Sequence, residues 1–345
     1  MRKFLHHIVF FINSIVLLGL VSSLISPFIN PNTFWPISFF GLFFPVIVLS
    51  IFLLSIFWFF SNKKFLWINL VILLITTPFL SRYFAVNPET LTDEGINIMS
   101  YNVRQFNKWN WIDVKNVDEK IIDFVNEEKV DVFCIQEYYN PRADLNFNFE
   151  YSHIGLQKST KDWHMAIYSN YPQINKSTVS IDGERMNNTC IFSDIIIKDD
   201  TIRVYNIHLA SNFFNRKDFN NLISPKTEKV KDGILGISKK LKYSFSRRGK
   251  EVEKIKKHMN NSPYPIIICG DFNDTPVSYA YRELSENKKD AFIESGNGIG
   301  ATFTKIPSLR IDYIFYDEKF NSSQFNTHQE ELSDHRAISS KIILD

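Results

Sequence analysis

The chain has 345 residues, more than one average domain needs, and its 39 lysines and arginines nearly balance its 37 aspartates and glutamates. This balance excludes net charge as a guide to a binding partner. Three widely spaced cysteines exclude a disulfide framework and a zinc signature, and we interpret Cys134, Cys190 and Cys269 as buried small hydrophobes.

Three long apolar stretches open the chain, at residues 5–28, 34–60 and 65–83. Each reaches the roughly 20 residues with which a helix crosses a bilayer core. A cleaved signal peptide is the alternative for the first stretch, but its apolar run is long and two more follow. We therefore predict that residues 1–84 form a membrane region of three transmembrane helices.

Basic residues in the short loops predict the orientation of these helices. Arg2 and Lys3 precede the first stretch, and Lys63 and Lys64 separate the second from the third. Because basic loops stay in the cytoplasm, the third helix leads out of it. We predict an integral, multi-pass protein whose C-terminal domain lies on the non-cytoplasmic side; the side inverts if one stretch does not cross.

The composition changes after the third stretch. Residues 85–94 are predicted to be a linker, and residues 95–345 have the charge and the alternating pattern of a soluble α/β domain. This second part carries all the candidate functional residues.

The first elements of this domain form a strand–helix–strand unit. Residues 95–103 alternate as a strand does and end near Asn102; residues 118–129 have the pattern of an amphipathic helix; a buried strand then ends at Glu137. Such a crossover makes the two strands neighbours, so Asn102 and Glu137 are expected to lie close together.

Further strands are predicted at residues 163–169 and in a hairpin of residues 189–197 and 201–209, which ends with His208. Residues 226–257 then contain twelve basic and four acidic residues. This segment is either an ordinary solvated helix and loop or a surface for a polyanion, nucleic acid or an anionic membrane. Its last part, residues 247–259, is predicted to be a helix.

A run of isoleucines at residues 266–268 has the composition of a strand that is buried on both faces. Gly270 permits close approach of the backbone, and Asp271 and Asn273 follow it. Residues two apart in an extended chain point the same way, so both are expected to face one spot at the end of a central strand.

Two final signals lie near the C-terminus. Asp312 is embedded among the apolar residues of a strand at residues 310–315, and a buried carboxylate is costly without a partner. Asp334 and His335 stand side by side before the last strand. We predict that Asp312 holds one ring nitrogen of His335 and so fixes its tautomer.

The candidate residues share one position, the end of a strand or the loop after it, and their hard oxygen donors suit Mg²⁺ or Mn²⁺. Carboxylates, carboxamides and histidines around such an ion suit the hydrolysis of phosphate esters. The set is Asn102, Glu137, His208, Asp271, Asn273, Asp312, Asp334 and His335.

Six short segments in this order closely resemble the endonuclease/exonuclease/phosphatase family over residues 95–345, and they are Ser100-Tyr101-Asn102, Ile135-Gln136-Glu137, Ile207-His208-Leu209, Gly270-Asp271-Phe272-Asn273, Arg310-Ile311-Asp312-Tyr313 and Ser333-Asp334-His335. The resemblance implies a four-layered α/β sandwich, with two mixed β-sheets packed face to face and helices outside. It also implies a Mg²⁺-dependent (or Mn²⁺-dependent) hydrolase.

The resemblance assigns Glu137 as the principal metal ligand, assisted by Asn102 and Asp334. It assigns Asp271 to the activation or positioning of water and Asn273 to stabilisation of the transition state.

By the same resemblance, His335, oriented by Asp312, would contact the phosphate or move a proton. His208 matches the histidine of the deoxyribonuclease and sphingomyelinase branches, and Arg185 is a candidate for phosphate contact.

The segments do not identify the leaving group. A phosphodiesterase or endonuclease acting on nucleic acid, a sphingomyelinase-like phospholipid phosphodiesterase or a phosphomonoesterase, and a non-catalytic membrane-tethered binding module remain as alternatives. The membrane itself and a phosphodiester substrate are the predicted partners, and no obligate protein partner is evident.

Overall fold

The computed structural model describes residues 2–88, 92, 94–139, 145, 147–155, 164–181, 189–212, 227–306 and 309–344. They divide into two compact units. The first consists of Met1–Ser81, Ala210–Lys250 and Asp274–Arg282, and the second of Arg82–Leu209, Glu251–Asn273 and Glu283–Asp345. Two segments of the C-terminal part thus belong with the apolar N-terminal helices, which the predicted boundary near residue 84 does not anticipate.

The first unit is built on helices that are rich in Phe, Leu and Ile. Three of them are long and apolar enough to cross a membrane: Lys3–Phe28, Phe44–Ser61 and Lys63–Leu80. The helices of this N-terminal region are α1 (Arg2–Ile25), α2 (Pro31–Phe34), α3 (Pro36–Leu42), α4 (Phe44–Ser61) and α5 (Lys63–Leu80).

The second apolar stretch, predicted as one helix over residues 34–60, is interrupted at Phe43, where the backbone leaves the helical conformation. Pro45 accounts for the break, because its ring lacks an N–H and excludes the carbonyl four residues earlier. A proline is tolerated in the first turn of a helix, so α4 begins afresh at Phe44.

Beyond α5 the described chain alternates strands with four further helices. The helices are α6 (Val117–Glu127), α7 (Thr227–Met259), α8 (Tyr279–Leu284) and α9 (Ala291–Ser295). The strands are β1 (Phe84–Val86), β2 (Ile96–Asn102), β3 (Val132–Tyr138), β4 (Tyr151–Gly155), β5 (His164–Ser169), β6 (Gln173–Thr178), β7 (Cys190–Ile197), β8 (Asp200–His208), β9 (Ile266–Asp271), β10 (Lys288–Asp290), β11 (Asn297–Ile299), β12 (Asp312–Asp317), β13 (Asn321–Thr327) and β14 (Ile338–Ile343).

The second unit is an α/β sandwich of two mixed six-stranded sheets, which confirms the predicted fold. One sheet has the order β13-β14-β2-β3-β5-β4 and the other β10-β12-β9-β8-β7-β6. Each contains one parallel pair, β2 with β3 and β8 with β9. Ile96 and Ile98 enter the core that contains side chains of both sheets, whereas Met99 and Tyr101 join the cluster that includes α6. This is the two-residue alternation of a strand covered on both faces.

Strand pairing brings the polar strand ends to one edge. His208 and Asp312 are the register partners of Asp271 on its two sides. On the other sheet Asn102 pairs with Gln136, the residue before Glu137. The parallel pairs produce this arrangement, because the carboxyl ends of parallel strands lie at the same edge.

Two segments differ from their predicted structure. The predicted linker at 85–94 overlaps β1, which pairs with β11 more than 200 residues along the chain. The helix predicted for 247–259 is confirmed, but it is the last part of a longer helix, α7, which begins at Thr227. Gly233 and Gly236 weaken the helical pattern of its first half, but Leu241 and Phe245 are buried and hold that half in place.

Candidate active site

Gly270 allows the strand that carries Asp271 to approach β8 closely. Its φ of +151° favours glycine, and a Cβ atom added there would lie 1.9 Å from the carbonyl oxygen of Ile207. No other residue fits this position without displacing backbone. The glycine therefore fixes the place where Asp271 leaves the sheet.

Asp271 is the centre of the hydrogen-bond network at this edge. Its Oδ2 accepts from Asn102 Nδ2 at 3.0 Å and from Asn273 Nδ2 at 3.1 Å, and its Oδ1 accepts from the backbone N–H of Asn273 at 2.8 Å. Burial raises the pKa of Asp271 to about 6, although nearby His335 opposes the shift. At neutral pH the group is an ionised carboxylate that is more basic than an exposed one.

The second bond of Asn273 shows what else its amide does. Nδ2 also donates to the carbonyl oxygen of Leu209 at 3.0 Å. Both amide hydrogens thus point to oxygens of the protein, and the side chain holds Asp271 against the end of β8.

His335 is held as the sequence predicts. Its Nδ1 donates to Asp312 Oδ2 at 3.0 Å, and its Nε2 lies 3.7 Å from Asp271 Oδ2. Burial disfavours the imidazolium, but the carboxylates of Asp312 and Asp271 outweigh burial and raise the pKa of His335 to about 10. The ring therefore carries a positive charge at neutral pH.

His208 lies between the candidate base and the predicted metal ligand. Its Nε2 is 3.6 Å from Asp271 Oδ2 and 3.9 Å from Glu137 Oε1. The side chain is mostly buried, so an imidazolium here would partly offset the two carboxylates.

Glu137 adopts a left-handed conformation with φ of +52° at an irregularity in the pairing of β3 with β5. Such a conformation is uncommon for a residue with a side chain, and bulges of this kind redirect side chains near functional sites. Burial raises the pKa of Glu137, and Asp334 adds to the shift, whereas His335 and a hydrogen bond from Asn102 oppose it.

Arg104 belongs to this group although the sequence did not single it out. Its guanidinium lies 3.0 Å from Asp334 Oδ2 and 4.2 Å from the centre of the Trp111 ring. Its backbone N–H donates to Asn102 Oδ1 at 3.1 Å. The only signal in the sequence was its position two residues after Asn102.

A second group that the sequence did not identify lies between the sheets. Gln136 Nε2 donates to Asn206 Oδ1 at 2.7 Å and to Ser100 Oγ at 3.1 Å, and Asn206 Nδ2 donates to the carbonyl oxygen of Ile135 at 2.8 Å. Gln136 and Asn206 are fully buried. These bonds join β3 to β8. Gln136 directly precedes Glu137, and Asn206 lies two residues before His208, so the bonds connect the two strands close to the ends that carry these candidate residues.

The residues fit a divalent cation. Glu137, Asp271, Asp312 and Asp334 supply four carboxylates, and burial, with a smaller effect of Asp334, raises the pKa of Glu137 by disfavouring its charged form. Among the described residues, ligand atoms of Asp271, Asp312 and His335 also lie within 4.8 Å of one another, but there the positively charged His335 ring itself neutralises the two carboxylates. Hard oxygen donors with unbalanced negative charge are what Mg²⁺ and Mn²⁺ prefer. Arg185 lies outside the described residues.

The comparisons with known proteins agree with this geometry. Residues 99–335 match the model of the endonuclease/exonuclease/phosphatase family. The chain belongs to this family. Members of the endonuclease/exonuclease/phosphatase family are hydrolases that act on phosphoesters and generally use divalent metals. Residues 6–83 match a family described as a domain of unknown function (DUF8431).

Solved structures of the family share the fold at low sequence identity. A family protein from Bacteroides thetaiotaomicron is 16% identical, with a TM-score of 0.55 over 74% of this chain and 100% of that chain. The human Nocturnin catalytic domain is 14% identical, with a TM-score of 0.52 over 74% and 95%. Truncated TDP2 from Caenorhabditis elegans is 14% identical, with a TM-score of 0.50 over 74% and 100%. No curated protein sequence matches the chain.

Proposed function

We propose that the protein is a membrane-anchored phosphodiesterase that hydrolyses its substrate by attack of water with the help of Mg²⁺ or Mn²⁺. One observation carries the proposal. Oδ2 of the buried Asp271 carboxylate, the candidate base, lies 3.0 Å from Asn102 Nδ2, 3.6 Å from His208 Nε2 and 3.7 Å from His335 Nε2. A carboxamide and two imidazoles therefore surround the base. This set suits displacement at phosphorus.

Glu137, Asn102 and Asp334 would hold the metal ion. When bound, a divalent ion neutralises charge on the phosphate and lowers the pKa of water. Arg104 orients the Asp334 carboxylate through their 3.0 Å ion pair. Its contact with Trp111 fixes the guanidinium in turn.

The remaining residues divide the proton transfers between them. Asp271, whose pKa of about 6 lies well above that of an exposed aspartate, accepts a proton from the attacking water. The His335 imidazolium binds the phosphate or gives its Nε2 proton to the leaving oxygen, and Asp312 stabilises its charge. Asn273 keeps Asp271 in place, because its amide donates to Asp271 Oδ2 and to the carbonyl oxygen of Leu209.

Contacts in the first unit support three membrane crossings. Ser26 Oγ donates to the carbonyl oxygen of Val277 at 3.1 Å, and Thr275 Oγ1 donates to that of Gly41 at 3.2 Å. The loop between α1 and α4, which contains the short helices α2 and α3, therefore touches a segment from the C-terminal part of the chain. Three crossings put these two segments on one side, and the basic residues at the opposite helix ends favour the non-cytoplasmic side.

The same helices make a phospholipid the second candidate substrate beside nucleic acid, because an anchored enzyme meets lipid headgroups at high local concentration. The test uses the full chain in lipid nanodiscs with Mg²⁺, assayed on plasmid DNA, on sphingomyelin, on bis-nitrophenyl phosphate and on the phosphomonoester nitrophenyl phosphate. His335→Ala and excess chelator are the controls.

Cleavage that requires both the metal and His335 supports the proposal. The substrate that is cleaved then distinguishes a nuclease from a phospholipid phosphodiesterase. Metal-independent cleavage, or equal activity of His335→Ala, would overturn it. Hydrolysis of phosphomonoesters alone would replace a phosphodiesterase by a phosphatase.

A further inference from the structure

One side of α7 combines lysines with large exposed apolar residues. Lys231, Leu235, Lys239 and Tyr243 follow one another at spacings of four residues, and Lys242 lies three residues after Lys239, which places all five along one side of a helix. We refer to these five residues as the basic face. All five are exposed, Leu235 by 58% and Tyr243 by 54%.

The opposite side of α7 supplies the packing. Leu241, Ser244, Phe245 and Arg248 are buried, and they recur at the spacing of a helix. The lysines of the basic face make no hydrogen bond or ion pair with the described part of the chain. Among the described residues, packing therefore does not explain the exposed Leu235, and ion pairing does not explain Lys231 and Lys239 on either side of it.

The turn of α7 that directly follows the basic face contacts the loop between α1 and α4. Ser246 Oγ lies 3.5 Å from the carbonyl oxygen of Pro31. A Cβ atom added to Gly249 would lie 2.9 Å from Asn32 Nδ2 and 3.0 Å from Asn30 Oδ1, so helix and loop are in close contact. All these residues belong to the first compact unit.

Arg248, on the buried side of α7, adds a second link. Its Nε donates to Asp274 Oδ2 at 3.0 Å, and its Nη1 donates to the carbonyl oxygen of Ala210 at 2.7 Å. The helix is thus tied at several points beside the loop that joins α1 to α4. If α1 and α4 cross the bilayer, this loop lies at the bilayer surface.

We propose that the basic face of α7 lies on the headgroups of an anionic phospholipid bilayer. The lysines attract acidic headgroups, while Leu235 and Tyr243 enter the boundary between headgroups and acyl chains. Leu235 and Tyr243 are both more than half exposed beside the lysines, so their apolar surface is available to this boundary. The inference rests on the membrane insertion that is part of the proposed function, but it does not depend on the substrate.

A fluorescent label on α7 tests this. The three native cysteines are buried, so Leu235→Cys can be labelled selectively with an environment-sensitive dye in the full chain. Asp199→Cys, in the exposed turn between β7 and β8, gives a matched control label. Both proteins are reconstituted in vesicles of phosphatidylcholine, alone or mixed with phosphatidylglycerol.

We expect the emission of the label at residue 235 to shift to the blue in anionic vesicles, and nitroxide-labelled lipid to quench it. The control label should do neither. Replacing Lys231, Lys239 and Lys242 by Glu should abolish the shift. An unshifted, unquenched label at 235 in anionic vesicles would overturn the proposal, as would a shift that duplex DNA alone produces.

A separate experiment measures whether the helices are inserted in the bilayer. The chain in neutral vesicles is washed at alkaline pH, and an inserted chain should resist extraction. A chain that is extracted contradicts both the insertion and this inference. A chain that stays inserted while the label remains in water contradicts the inference alone.

Discussion

The Asp312 carboxylate accepts a hydrogen bond from His335 Nδ1 at 3.0 Å, while Nε2 of the same ring lies 3.7 Å from Asp271 Oδ2. One carboxylate therefore orients the ring and the other faces its reactive nitrogen. Asp312 reaches this place because β12 pairs with β9 in a register that sets it opposite Asp271. The pairing of β12 with β9 thus places the residue that orients the candidate acid directly beside the candidate base.

Asp312→Asn is expected to lower kcat on bis-nitrophenyl phosphate by about 10²-fold or more, because His335 loses both its orientation and the stabilisation of its charge. KM should change much less. The double variant with His335→Ala should be no slower than His335→Ala alone, since Asp312 acts through the histidine. Effects that multiply in the double variant would show that Asp312 has a separate role.

Metal dependence should separate Glu137 from Asp271. Glu137→Gln removes a charged ligand, and we expect the Mg²⁺ concentration for half-maximal activity to rise by at least about 10–100-fold, which is the effect of losing only a hydrogen-bond partner of a ligand. Asp271→Asn keeps the size of the side chain but removes the base, so turnover should fall by about 10²–10⁴-fold at an unchanged Mg²⁺ requirement. Mg²⁺ titrations of both variants measure this difference. A reversed pattern would exchange the two assigned roles.

The sequence revealed the parts of the site that depend on one strand at a time. Asp271 and Asn273 follow an apolar run directly, so their position at a strand end can be predicted without knowing the fold. Arg104 could not be found in this way, because its partner Asp334 comes from a distant segment. Gln136 and Asn206 were missed for the same reason, since a polar residue in a strand shows its purpose only when the facing sheet is known.

The same distinction applies to the fold. Alternation and apolar runs predicted β2, β3, β8 and β9, but β1 escaped because its three residues are paired only with distant β11. The membership of Asp274–Arg282 in the first unit was equally hidden. It depends on contacts such as that of Ser26 with Val277, which no local pattern encodes.

Gly270→Ala should destabilise the fold by about 3 kcal/mol or more, because its Cβ would clash with the Ile207 carbonyl and its φ is unfavourable for alanine. Gly298→Ala is the matched control, since Gly298 has φ of +75° but nothing within 4 Å of an added Cβ. The control should cost only about 1 kcal/mol of backbone strain. Thermal unfolding of both variants measures the difference, and equal destabilisation would contradict the predicted clash.

His153 should make stability fall in mild acid. Burial, assisted by Lys176, lowers the pKa of His153 to about 4, and Nδ1 of its ring lies 3.1 Å from Ser193 Oγ on the facing sheet. Since the unfolded chain binds a proton near pH 6.5, the stability that the neutral ring contributes is full above about 6.5 and is lost as pH falls towards 4.

We therefore expect His153→Asn to reduce the fall in melting temperature between about pH 7 and about pH 5. The full chain in detergent serves for the measurement. An identical fall in the wild type and the variant would show that His153 does not contribute to the pH dependence.

Among the apolar helices, Asn13 and Asn69 should hold α1 and α5 together. Asn13 Nδ2 donates to Asn69 Oδ1 at 3.2 Å, Asn69 Nδ2 donates to Asn13 Oδ1 at 2.9 Å, and Trp58 Nε1 of α4 donates to Asn13 Oδ1 at 3.0 Å. Both asparagines are buried. Hydrogen bonds of this kind between membrane helices each contribute about 0.6–2 kcal/mol.

Asn13→Leu should therefore lower the stability of the three-helix assembly by about 1–3 kcal/mol, because it leaves the Asn69 amide and the Trp58 N–H without their acceptor. The double variant Asn13→Leu/Asn69→Leu should cost less than the sum of the single variants, since it removes both polar partners. Unfolding of the full chain by sodium dodecyl sulfate in mixed micelles measures these differences. Ser14→Leu, on the exposed neighbouring position, should change little. Additive costs in the double variant would show that the two asparagines act independently.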